Sequence, residues 1–305
     1  MTDRRALLVD AFADEPLAGN AAGVVPDADG LTDGQMRAIA RELGASETAF
    51  VRSSESADRR LRFFSPSAEV DLCGHATVAT HAHLHREGAV AAGTHAVETN
   101  AGVFDVEVEE GGVAWLAGAA PEVTEVDADL DRVGEALGVD PAALRDVGAD
   151  LPAAVASTGL PYLVVPVNFL EHLSGADPDD AAVAALAEAH DAAGVYAFTF
   201  DAVDRESTLH GRAFVPSLGI SEDPVTGTAS GAVAAYCRAV GAFDDDVPDE
   251  IRCEQGHFLD RPGAVRVRFE ADGDAETVWV GGRAPTALDG QLTVPPDEDD
   301  GIIEA

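Results

Sequence analysis

Two stretches of this chain repeat one another, and a chain built that way is constrained to fold as two like halves. Phe64-Ser65-Pro66-Ser67 leads into Asp71-Leu72-Cys73-Gly74-His75-Ala76-Thr77, and Phe214-Val215-Pro216-Ser217 leads into Glu222-Asp223-Pro224-Val225-Thr226-Gly227-Thr228-Ala229-Ser230. In both, a glycine ends an extended run and opens a series of small residues with helical character. The repeat predicts a duplicated two-domain α+β (mixed α/β) protein in which two helix N-termini face one central cleft and share a ligand. At 305 residues, each half has about 150 residues, enough to bury its own core.

Between these landmarks the pattern alternates between strand and helix periods. Ala6 to Phe12 reads as a strand, and Gly19-Asn20 as a turn into the apolar run Ala21 to Val25. Asn20 could touch a ligand there or simply complete the turn. Thr32 caps a helix with Met36, Ile39, Ala40 and Leu43 on one face and Gly44 as its stop. Ser46 to Val51 reads as a strand that turns Glu47 towards the side of Ala49 and Val51, an unusual place for a carboxylate. The Gly74 helix runs from about Ala76 to Arg86, with His81 and His85 one turn apart. No third ligand stands at a known spacing, so the histidines read as a polar helix face and no metal is expected. Val97 to Asn100, Val103 to Val108 and Val113 to Leu116 complete a mostly antiparallel first half. Pro121 to Val126 reads as a crossover, after which the same kinds of element recur, the Gly227 helix running to about Val240. The boundaries expected are 1–118 with a returning segment at about 279–293, then 119–278, with 294–305 as an acidic, mobile tail.

Charge excludes several classes of function. Fifty-six acidic residues stand against 19 basic ones, all arginine, for a net charge of −37. The acidic residues are spread through apolar periodic segments, which argues for a folded chain. Molar salt, with a Debye length of about 3 Å, would screen their repulsion, so a salt-adapted cytoplasmic protein is expected. Nucleic acid and anionic membranes are not expected as partners, because phosphate binding needs clustered basic residues. Cys73, Cys237 and Cys253 form no disulfide or zinc-knuckle pattern. No apolar run reaches membrane-spanning length, and the N-terminal Met1-Thr2-Asp3-Arg4-Arg5 lacks a secretory core.

The chemistry open to such a chain centres on the two helix starts. Unpaired N–H groups and partial positive charge at Gly74-His75 and Gly227-Thr228 suit a carboxylate or a developing oxyanion, which points to a small carboxylate-bearing molecule as partner. Asp223, before Pro224, could orient a base, bind a substrate amine, or cap the turn.

Gly44-Ala45-Ser46-Glu47-Thr48-Ala49-Phe50-Val51, Phe64 to Thr77 and Glu222 to Ala229, together with Asp10-Ala11-Phe12 and Gly19-Asn20, resemble the signatures of the phenazine-biosynthesis PhzF-like isomerase family, in the family's order. The resemblance covers about Leu7 to Leu292. It implies a diaminopimelate epimerase-like fold, with two halves, each a curved sheet wrapped around a central helix, and the active site between them. It implies that Glu47 is the acid/base that takes a proton from a substrate carbon and returns it elsewhere without a cofactor. His75 and Asp223 would position the substrate, with Gly74, Gly227, Thr228, Asn20 and Cys73 around it, and the working form would be a homodimer. The family's best-characterised members carry Ser after the second glycine, where this chain has Thr228, so the hydroxyl is kept and a methyl narrows the site.

Two other readings fit some of the same residues. A two-thiol amino-acid epimerase would use Cys73, but the matching position before Gly227 is Thr226, so the second thiol is missing and Cys73 reads as a small buried residue. A metabolite-binding protein of the same fold would keep the site without turnover.

Overall fold

The computed structural model describes residues 2–147, 151–244, 246–272 and 275–296, so the expected tail lies outside the described residues from position 297 onward. The chain divides into two compact units, Met1–Leu116 with Gly282–Ala305, and Ala117–Gly281. The fold is mixed α/β, and each unit sets mostly antiparallel strands around one buried helix.

In the first unit, strand Asp3–Ala11 lies antiparallel to both Asn20–Val25 and Thr286–Thr293. Asn20–Val25 runs parallel to Thr48–Arg52. The crossover between them is helix Asp33–Leu43, closed at one end by a Thr32/Gln35 capping box and at the other by left-handed Gly44. Its Met36, Ile39 and Ala40 pack with Phe50 and Phe64 on one side of the sheet. Helix Gly74–Arg86 lies against strands Asp3–Ala11, Asn20–Val25, Thr48–Arg52 and Gly102–Val108, and every residue from Ala76 to Leu84 is buried. A helix enclosed on all sides has no polar face to show. The sharp turn before Asn20 depends on Gly19, at φ +58°, where a Cβ would collide with the Ala11 carbonyl.

The second unit repeats this plan. Pro161–Pro166 and Gly194–Thr199 are the parallel pair, bridged by helices Leu170–Ser174 and Asp180–Ala189. Gly194–Thr199 and Leu209–Val215 are antiparallel, as Thr48–Arg52 and Arg59–Phe64 are in the first unit. A two-residue parallel pairing, Leu209↔Cys253 and His210↔Glu254, matches Arg59↔Val97 and Arg60↔Glu98. Helix Gly227–Ala239 is buried from Ala229 to Cys237. The outer helices bury Val133, Leu137 and Leu186 against Leu163, Val195 and Phe214. Pro121 to Val126, expected as a crossover, contains strand Glu122–Glu125, which pairs antiparallel with Ala154–Ser157.

The polar face expected of the helix histidines survives only at half-buried His85. His81 and His83 are fully enclosed, at 0 % and 1 % exposure, because the sheet surrounds the helix; each finds a partner for Nδ1, while both Nε2 atoms are buried without a hydrogen-bond partner among the described residues. His81 Nδ1–H donates to the Thr77 carbonyl at 2.8 Å, and His83 Nδ1 lies 2.9 Å from the Thr286 hydroxyl. Burial outweighs the Thr77 bond and pushes the His81 imidazole down to about 3. The unfolded chain then binds a proton that the folded one refuses. Stability is independent of this group above pH 6.5, and falls as pH drops from about 6.5 towards 3, by about 1.4 kcal/mol per pH unit. Urea midpoints between pH 7 and pH 5, above the carboxylate range, should show wild type losing about 2 kcal/mol more than His81→Leu. Equal slopes in the two proteins would contradict this reading of His81.

Candidate functional site

Three of the residues singled out in the first unit converge. Glu47 is the last residue before strand Thr48–Arg52, and its carbonyl accepts from Gly23 N at 2.9 Å, which ties the loop end to the neighbouring strand. The strand expected from Ser46 therefore starts two residues later, leaving Glu47 half-buried at its end. Its Oε2 lies 3.6 Å from His75 Nε2 and 3.9 Å from Cys73 Sγ. Cys73 Sγ lies 3.5 Å from His75 Nδ1, and Ser46 Oγ, which the sequence reading did not single out, lies 3.5 Å from His75 Nε2. The Glu47–His75 gap is longer than a formed hydrogen bond, and such gaps close when a substrate group enters. Glu47, Cys73 and His75 each offer one donor atom within 4.8 Å of the other two, so the group could also hold a metal ion.

Cys73 is the N-cap of the Gly74 helix and its side chain does not cap it. The three outer helices of eight or more residues among the described residues are capped by Thr32, Asp129 and Asp179. The first N–H groups of the Gly74 helix thus lack a capping side chain, and with the helix dipole they favour an anion. A Cβ on Gly74 would meet only Leu116 Cδ2, at 3.7 Å. Packing does not demand glycine there, whereas close approach of a ligand to the backbone would. Asn20 is buried at the head of its strand, opposite Ala11.

The second unit gathers Asp223, Gly227 and Thr228 at the start of its own central helix. Asp223 closes the short strand Ile220–Asp223, and its Oδ2 accepts from the Thr226 hydroxyl at 2.5 Å. Thr226 is the N-cap but spends its hydroxyl on Asp223 and leaves the helix uncapped by its side chain. Gln255, unremarked in the sequence, is fully buried and holds this turn: Nε2 donates to Asp223 O at 2.6 Å and to Thr226 Oγ1 at 3.2 Å. Thr228 Oγ1 is 3.0 Å from the phenol of buried Tyr162, whose pKa is driven upward by burial, so Thr228 has a fixed, neutral partner. Cys237 and Cys253 are buried, and desolvation pushes both thiols up. Only Cys73 stands at a helix start. Among the described residues no helix is long and apolar enough to cross a membrane.

The family model described as phenazine biosynthesis-like protein (PhzC-PhzF) matches residues 9–290. An uncharacterized isomerase, YfhB of Bacillus subtilis, is 37% identical over 287 residues, covering 92% of this chain and 96% of the relative. The crystal structure of a Bacillus anthracis phenazine biosynthesis protein of the PhzF family is 33% identical, with a TM-score of 0.88 over 96% of this chain and 100% of that one. A hydroxyproline epimerase from Agrobacterium vitis is similar in fold alone, at 14% identity and a TM-score of 0.54 over 95% of this chain and 92% of that one.

Proposed function

We propose, on the premise that this chain belongs to the phenazine biosynthesis-like PhzC-PhzF family, that it is a cofactor-independent isomerase in which Glu47 moves a proton within a small carboxylate-bearing metabolite, an amino or hydroxy acid among the candidates. The observation that carries this reading is the Glu47 carboxylate 3.6 Å from the His75 imidazole, beside a helix start that no side chain caps.

The substrate carboxylate sits on the N–H groups of Gly74 and His75. Glu47 takes a proton from a carbon, the electron pair of that C–H bond moves into the adjoining π-system, and the proton returns at its far end. Nothing is oxidised or reduced. Negative charge that develops during the transfer is stabilised where the helix dipole points at it. His75, with Ser46 and Cys73 around it, positions the substrate. Asp223, held by Thr226 and Gln255, and the Gly227-Thr228 helix start have the same positioning role, with Asn20 as a further contact. The Tyr162–Thr228 contact supports a narrowed site, because it fixes the threonine hydroxyl and with it the direction of the methyl.

A two-thiol epimerase has less support. The position equivalent to Cys73 is Thr226, whose hydroxyl is already given to Asp223. The homodimer, and the salt-adapted cytoplasmic setting drawn from the net charge of −37, belong to the same proposal; sedimentation in low and molar KCl would test both the assembly and the salt requirement.

The decisive test is proton exchange in D2O, followed by NMR, with dialysed protein in molar KCl and a panel of small cyclic and acyclic amino and hydroxy acids that includes trans-2,3-dihydro-3-hydroxyanthranilate. Exchange into one substrate that persists in the presence of a chelator is expected. Saturable binding of such an acid with no exchange and no product would replace the isomerase by a binding protein.

A further inference from the structure

Away from this site, the second unit carries a histidine pair that the proposed chemistry does not use. His210, on strand Leu209–Val215, is 0 % exposed. Its Nδ1 lies 2.8 Å from Glu254 Oε1, and its Nε2 is buried with no hydrogen-bond partner. Glu254 is itself held rigidly, accepting from Val203 N at 2.5 Å and Asp204 N at 3.0 Å. His257 comes back beside His210 through Gly256, at φ +84°, where a Cβ would collide with the carbonyls of Arg261 and Pro224. The two imidazole centroids are 5.0 Å apart, and His257 Nδ1 is a second buried nitrogen without a partner. One donor atom from each of His210, Glu254 and His257 lies within 4.8 Å of the other two.

The duplication shows what this position looks like as a plain ion pair. The equivalent of the His210–Glu254 pairing is Arg60–Glu98, a guanidinium 3.0 Å from a carboxylate. A guanidinium has no lone pair for a metal. In the second unit an imidazole replaces it, another imidazole arrives from a glycine turn, and both keep an unused ring nitrogen in a place where an unsatisfied polar atom is costly.

We propose that His210 and His257 bind a divalent transition-metal ion, Zn2+ being the representative probe, through the two ring nitrogens that lack partners, with Glu254 fixing His210 from behind. A carboxylate on the far nitrogen is the usual support for a metal-bound histidine, because it sets the tautomer and aims the lone pair. Imidazole donors select Zn2+, Cu2+, Ni2+ or Co2+ over Mg2+ or Ca2+. His257 is half-buried and followed by the exposed Phe258 and Leu259; a tetrahedral ion held by two imidazoles needs water in its other two positions. The ion would brace the turn that follows Gln255, the side chain that holds Asp223 and Thr226.

The test is Zn2+ titration of full-length protein by calorimetry in excess Mg2+, which occupies surface carboxylates, in a His75→Ala background that removes the other imidazole cluster. Imidazole 15N shifts are followed in parallel. One Zn2+ per chain is expected, moving the His210 and His257 nitrogens together, with at least tenfold weaker binding in His257→Ala and His257→Gln, both chosen because this residue is half-buried. Affinity unchanged by either substitution, binding without imidazole 15N shifts, or no binding beyond the Mg2+-competed background would each overturn the site.

Discussion

Glu47→Gln is expected to slow proton exchange into the substrate by about 10²–10⁴-fold, the range a positioned general acid/base contributes, while leaving binding of that substrate within a fewfold of wild type. The amide keeps the shape and the hydrogen-bonding reach of the carboxylate but cannot hold and return a proton. The side chain stands at a strand end, half-buried, with no ion pair to arginine among the described residues, so the change removes a base without breaking a structural bridge. A matching loss in His75→Ala with a large rise in KM would mark that residue as a positioning group. If folded Glu47→Gln exchanged at the wild-type rate, Glu47 would not be the base, and Cys73, 3.9 Å away, would be the next residue to test.

The two central helices could be read from sequence because each begins where an extended run meets glycine and small residues, a change of period that local propensity alone dictates. Glu47, Cys73 and His75 could be named, but their convergence could not be derived: it depends on how a strand end meets a helix start 26 residues later. The histidines of the Gly74 helix misled for a similar reason. Imidazoles spaced along a helix look solvent-facing, and only the surrounding sheet makes His81 and His83 interior groups, with the Thr77 carbonyl as the partner of His81. Strand Glu250–Gln255 escaped notice because Glu-Ile-Arg-Cys-Glu-Gln reads as a surface segment. Its carboxylates are instead matched across strands, Glu250 to Arg266 at 2.6 Å and Glu254 to His210 at 2.8 Å, and its Gln255 became legible only with Asp223 and Thr226 beside it.

Arg212→Met is expected to destabilise the protein by about 3–5 kcal/mol, the cost of removing one partner from a buried ion pair. Arg212 and Glu222 are 7% and 11% exposed and 2.7 Å apart, and the same guanidinium donates to the carbonyls of Leu173 and Ala176 at 3.0 and 2.9 Å. Methionine would fill much of the volume but strand the Glu222 carboxylate and those two carbonyls. Arg212→Met/Glu222→Leu should recover part of the loss, because it removes the orphaned charge while the carbonyls stay unpaired. The duplicate supplies an internal control: Arg62 pairs with Glu69 at 2.7 Å, but Glu69 is 25% exposed, so water can solvate what Arg62→Met leaves behind and the cost should be smaller. In a chain of net charge −37, losing any arginine also adds self-repulsion. Urea midpoints in molar KCl, where the Debye length is about 3 Å, separate the two effects: the part that salt removes is long-range, and the part that persists is the buried bridge. A loss in Arg212→Met that vanished in molar salt would show that the bridge matters only through net charge.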